Sequence, residues 1–229
     1  MQAGRHDKAH TVPFMGRWNY TRAEMIADGV VHLIGIVFAV AAGSVLLAAS
    51  FFRTGLGEYV AAVFYVVSLL AVLGVSLAYN QWPMTPAKWI LRRVDHSMIY
   101  LLIAATYTPF LVQIADPRIA AASIAWVWLA ALAGMSVKLF FPGRFDRLAI
   151  AFYLVIGWSG VALAKPLLDA LPESTLGLLM AGGLTYTAGV LFYAWTGLKF
   201  HIAMWHGCVV LGAALHCVAV IDCLVIARI

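Results

Sequence analysis

Seven stretches of this chain carry no charged side chain over lengths that match the hydrocarbon thickness of a bilayer. They run over residues 29–52, 59–87, 97–115, 119–137, 148–164, 174–198 and 202–221. A helix rises about 1.5 Å per residue, so about 20 apolar residues cross about 30 Å of hydrocarbon. The second stretch is expected to end near Asn80, before Pro83 and Pro86, and the fifth, at 17 residues, sits at the lower limit. None alternates with period two, and all are too long for barrel strands. The expected fold is an all-α, integral-membrane bundle of seven transmembrane helices, with a tail over residues 1–24 and a membrane domain over 25–229.

Composition excludes the other classes. The chain is 64% hydrophobic and 11% charged, against about 25% charged residues in an ordinary soluble domain. Those figures exclude a soluble globule and a disordered chain. Three cysteines, Cys208, Cys217 and Cys223, lie in one apolar stretch and read as small buried side chains, not a disulfide framework. The first apolar stretch is longer than a signal-peptide core and has no convincing A-x-A site at its end, so it is read as a span. The net charge of +5 resides in short connections between apolar runs, so nucleic acid is not an expected partner and membrane lipids are. Short loops leave no room for a soluble domain.

The basic residues set the expected orientation. One side collects eleven: Arg5, Lys8, Arg17, Arg22, Lys88, Arg92, Arg93, Lys138, Arg144, Arg147 and Lys199. The other has four: Arg53, Arg118, Lys165 and Arg228. The first side is read as cytoplasmic, with residue 1 inside and residue 229 outside, in a multi-pass protein of the plasma (inner) membrane.

Ionisable groups at membrane depth are costly and usually functional. The topology brings several to one leaflet: Asp28 and His32 at the start of span one, Ser76, Tyr79 and Asn80 at the end of span two, Asp95 and His96 at the start of span three, and His201 and His206 at the start of span seven. Asp28 and His32 share a helix face. His201 and His206 point about 140° apart on a straight helix, and His216 lies roughly 15 Å deeper than His206. His6 and His10 carry no signal. Histidine with carboxylate suits zinc with an open position for water. Here Asp95 and Asp28 are the candidate catalytic carboxylates. His206, His32, His96 and Asp95 are the candidate metal ligands, and Ser76, Tyr79 and His216 are supports behind them. Without metal the same groups form a proton relay. Each also has a structural alternative: packing for His32, an ion pair with Arg92 and Arg93 for Asp95, a helix cap for His96 and solvation for His201.

At these residues the chain resembles the haemolysin III family, bacterial relatives of the progestin and adipoQ receptors. The matching stretches are ADGVVHLIG at 27–35, RVDHSMIYLLIAATYTPF at 93–110, Trp205-His206 with His216, Gly157-Trp158, and Gly182-Gly183 with Tyr186. The likeness covers about residues 22–225. It implies seven helices with the N-terminus cytoplasmic. Among the receptor relatives it implies a zinc between helices and ceramidase-like hydrolysis of lipid amides or esters. The implied ligand pattern is Ser-x3-His in span two, Asp in span three and His-x3-His in span seven. Ser76, Asp95 and His206 match it; Asn80 and Ile202 stand where two histidines belong. The bacterial pattern has Asn where this chain has Asp28. Three functions follow as alternatives: lipid binding in a receptor-like or lipid-homeostasis role, metal-dependent lipid hydrolysis, and pore formation. Polarity confined to one leaflet argues against a continuous pore. The glycine pair Gly182-Gly183 is expected to permit a close helix crossing.

Overall fold

The computed structural model describes residues 20–141 and 146–228. Among the described residues the chain is helical, with no strand. The helices are α1 (Arg22–Arg53), α2 (Leu56–Gln81), α3 (Pro86–Leu111), α4 (Pro117–Phe140), α5 (Asp146–Trp158), α6 (Ala164–Ala170), α7 (Glu173–Ala194) and α8 (His201–Leu224). α5 and α6 form one interrupted segment, joined by a 3₁₀ turn over Ser159–Leu163. Among the described residues six segments are long and apolar enough to cross a membrane: α1, α2, α4, Leu148–Ala170, α7 and the α8 segment. α3 has the length but opens with Lys88, Arg92, Arg93 and Asp95.

Local chemistry sets the ends. Thr21 and Glu24 form a capping box at the start of α1, with the Glu24 carboxylate also accepting from the Phe200 N–H at 3.1 Å. Proline occupies the first turn of α3 and of α4, where its missing N–H costs no hydrogen bond. Asp116 caps α4 through the Arg118 N–H at 2.8 Å. Phe200, at φ 61°, makes the left-handed turn from which α8 departs.

Consecutive helices α1 to α4 pack as antiparallel neighbours, and α8 returns against α1 and α7. α2 and α8 form the interior, each with 50% of its most apolar window buried, against 11% for Leu148–Ala170. The outer faces of the bundle carry large exposed apolar side chains such as Val37, Phe64, Leu129 and Leu191, as a lipid-facing surface does. The apolar solvent gives helices little reason to associate, so close packing must supply it. At Gly182 of α7 a Cβ would collide with the imidazole of His216 on α8, while a Cβ at Gly183 would lie in ordinary contact with Trp158, at 3.4 Å. α7 and α8 accordingly make the most extensive helix contact in the bundle.

The end opposite the α1 start is tied by polar bonds. Ser174 and Thr175 of α7 both donate to Asp222 of α8 at 2.6 Å. Arg228 pairs with Glu58 and donates to Gln113 at 2.7 Å.

One sequence expectation changes. The loop expected after the second span to hold Lys88, Arg92 and Arg93 is instead the start of α3 at Pro86, where all three are helical and Lys88 is buried. Pro86 starts the helix and does not interrupt it.

Gly177 lies on the same helix as Gly182 with open space beside it. Gly182→Leu should therefore lower the thermal midpoint in detergent by several degrees, consistent with about 1–3 kcal/mol of overpacking. Gly177→Leu should leave it unchanged or raised, and equal effects would contradict the crossing.

Candidate functional site

The first turns of α1 bury Asp28 and His32 on the face that meets α8, at 4% and 2% exposure. His32 Nδ1 donates to the main-chain carbonyl of Asp28 at 2.9 Å and lies 3.5 Å from Asp28 Oδ2. From the second turn of α8, His206 Nδ1 donates to Asp28 Oδ1 at 2.5 Å. The two rings meet edge to face, with centroids 4.5 Å apart. Both Nδ1 atoms are thus committed to Asp28. In the neutral ring the hydrogen-bond network assigns the proton to Nδ1 and leaves the lone pair on Nε2. Asp28, His32 and His206 form the one group of three metal-competent side chains among the described residues, with ligand atoms within 4.8 Å of one another. Asp28 Oδ2 is buried and has no hydrogen-bond partner among the described residues.

His32 and His206 line a cavity of about 450 Å³ that α2, α3, α5, α7 and α8 enclose, and Asp28 lines a small void that shares Asn80 and Ile202 with it. One end of the cavity is polar, with Ser76, Tyr79, Asn80, Arg92, Asp95 and His96 on its wall. The body is apolar, including Leu73, Ile103, Leu154 and Val210. At the far end stand Tyr107, Trp158, Tyr186 and His216. There the Tyr107 hydroxyl accepts from the Gly160 N–H at 2.8 Å and donates to the Gly157 carbonyl at 2.6 Å. That single side chain satisfies the backbone freed where α5 breaks, as a low-dielectric setting requires.

The sequence-derived residues distribute as follows. Asp95 and His96 share the wall of this cavity, 3.6 Å apart, with His96 Nδ1 donating to the Arg92 carbonyl at 2.8 Å. They lie outside the group of three. Tyr79 stacks edge-on against His96, centroids 6.0 Å apart. Asn80 donates to the Ser76 carbonyl at 2.9 Å and contacts Ser76 Oγ at 3.4 Å. Asn80 and Ile202 line both the large cavity and a second void of about 20 Å³ beside Asp28. The two positions where the resemblance places histidines therefore converge on Asp28. His201 is buried off the cavity wall, its ring 5.9 Å from Tyr20. His216, at the far end, donates from Nε2 to the Leu179 carbonyl at 3.2 Å and packs on Tyr186. Asp28, a candidate catalytic carboxylate above, contacts the Nδ1 atoms of both His206 and His32.

Sequence reasoning overlooked Lys88 and Lys138, both buried and both on the cavity wall. The signal was present: Lys88, Arg92, Asp95, His96 and Ile99 follow helical spacing from Pro86 onward.

No solved structure matches this chain. The hemolysin-3 homolog of Bacillus subtilis is 35% identical over 195 residues, 85% of this chain and 92% of the relative. Hemolysin-3 of Bacillus cereus is 32% identical, covering 84% of this chain and 88% of the relative. The human monocyte to macrophage differentiation factor is 28% identical across 92% of this chain and 89% of its own length. The family described as Haemolysin-III related matches residues 21–217. With a family match over most of its length and relatives above 30% identity, this multi-pass membrane protein belongs to the haemolysin III family.

Proposed function

We propose that this chain is a seven-span protein of the inner membrane that holds a lipid within its helix bundle, in a receptor-like or lipid-homeostasis role. The observation that carries this reading is the cavity of about 450 Å³, polar at one end and apolar along its body. Its size falls in the range of small-molecule sites, and its division of polarity is that of an amphipathic molecule. α3 supplies the seventh span, with its charged first turns at the interface. The eleven-to-four distribution of Lys and Arg sets the N-terminus in the cytoplasm. Reporter fusions in the α1–α2 and α2–α3 connections should then give opposite signals, and equal signals would contradict seven spans.

Zinc is the cofactor the resemblance implies. Asn80 and Ile202 offer no imidazole where the family pattern has one, so that pattern is not rebuilt here. Asp28, His32 and His206 fit a divalent cation better, by donor type and by a buried carboxylate oxygen that lacks a hydrogen bond. Bound there, such an ion would polarise a carbonyl and lower the pKa of a water. Asp28 holds the Nδ1 atoms of both rings, and His32 and His206 line the cavity. Asp95 supplies a carboxylate on the cavity wall itself. A second reading, metal-dependent hydrolysis of a lipid amide or ester, draws on the Asp28–His206 pair, because a carboxylate-oriented imidazole is a recurring support for ligands and bases.

One preparation tests these points together. Protein purified in mild detergent without added metal should carry lipid detectable by mass spectrometry and about one equivalent of divalent metal by elemental analysis. Ile103→Trp should reduce the lipid by filling the cavity, and Asp28→Asn should reduce the metal. Lipid-free wild-type protein would contradict the lipid reading, and metal retained by Asp28→Asn would contradict the ion's placement.

A further inference from the structure

We propose that the small void beside Asp28 binds one sodium ion, held by oxygen atoms from the first turns of α1 and the last turn of α2. The void measures about 20 Å³, and its wall includes Glu24 and Asp28 of α1, Asn80 and Gln81 of α2, and Ile202 and Ala203 of α8. Among the described residues two carboxylates line it and no Lys or Arg does. The site shares Asp28 with the imidazole pair, but it rests on neither the lipid reading nor the divalent-metal reading.

The donor set is all oxygen. Asp28 is 4% exposed, and its Oδ2 is buried without a hydrogen bond while Oδ1 accepts from His206. Both amides direct their nitrogens to main-chain carbonyls: Asn80 Nδ2 to Ser76 at 2.9 Å and Gln81 Nε2 to Met25 at 2.9 Å. Those bonds assign the two amides and leave Asn80 Oδ1 and Gln81 Oε1 with lone pairs to give. Gly29, next to Asp28, admits the Gln81 amide: an added Cβ there would lie 3.2 Å from Nε2. The Glu24 oxygens already accept from the Thr21 N–H at 2.9 Å, the Thr21 hydroxyl at 2.8 Å and the Phe200 N–H at 3.1 Å. The charge left to balance is therefore that of Asp28. A void of this size holds one water-sized occupant. A water has two protons for three acceptors, whereas a cation meets all three and offsets the cost of a buried carboxylate oxygen. Oxygen donors select hard ions over zinc. Magnesium keeps several of its waters and calcium takes about six to eight oxygens, which is more than the void has room for. One carboxylate matches one positive charge, and the narrow space favours sodium over the larger potassium.

The full chain, purified in neutral detergent and freed of divalent metal by a chelator, is titrated with radiolabelled sodium in choline chloride at constant ionic strength. About one sodium per chain should bind saturably, as a single-occupant void implies. Unlabelled sodium should displace the label severalfold more effectively than potassium. The same sodium should raise the thermal midpoint of the wild type by mass action, and Asp28→Asn should lose both the binding and the rise. Gln81→Met, at an exposed position, should keep the fold and weaken sodium binding severalfold, and it decides the matter where Asp28→Asn does not fold. No saturable sodium binding in the wild type, or wild-type affinity kept by either variant, overturns the proposal and leaves water as the occupant of the void. Potassium displacing the label as well as sodium does overturns the assignment to sodium. Divalent metal has been removed and lipid is not the readout, so this result stands or falls apart from the readings under the proposed function.

Discussion

A carboxylate buried between membrane helices must be compensated by the protein, because hydrocarbon offers it nothing. Asp28 meets that requirement through His206, 178 positions away in sequence, at 2.5 Å. The contact joins the start of α1 to the start of α8 and so closes the bundle. It also fixes the His206 ring, and with the Asp28 carbonyl it fixes His32 as well. Two imidazoles are held in one tautomer by one residue that stays off the cavity wall. The polar end of the cavity therefore owes its orientation to a group that does not line it.

The opposite end of the bundle is organised differently. Asp222 accepts two hydroxyl hydrogen bonds from the first turn of α7, and Arg228 bridges to Glu58 and Gln113. These bonds secure helix ends. Between the two ends, α5 and α6 form the least buried wall, interrupted at Ser159–Leu163. Tyr107 bonds both sides of that break, so the thinnest wall is a bracketed one. Polarity is concentrated at the α1 end, where the cationic side chains stand, and the cavity body remains apolar. On the proposed reading, that division suits an amphipathic molecule.

Much of this was legible in the sequence. The seven charge-free stretches marked the apolar segments, although α3 begins eleven residues before its stretch at residue 97. The i,i+4 spacing placed Asp28 and His32 on one face. Antiparallel succession put Ser76, Asp95 and His206 at one end. Helix rotation was not legible: nothing in spacing alone says that Asp28 stands behind the rings, or that His201 turns off the cavity while Ile202 turns toward it. The burial of Lys88 was concealed by Pro83 and Pro86, which read as a loop until Pro86 was seen at the first turn of a helix. The 3₁₀ break in α5 depends on a tyrosine 53 positions earlier, a tertiary partner that no local pattern announces.

The central claim is that Asp28 and His206 act as one unit between α1 and α8. A double-mutant cycle tests it most directly: thermal unfolding in one detergent of the wild type, Asp28→Asn, His206→Gln and the double variant. The account predicts that each single change destabilises and that the double variant is little worse than the worse single, with a coupling of about 1–3 kcal/mol. Additive losses, with no coupling, would contradict it.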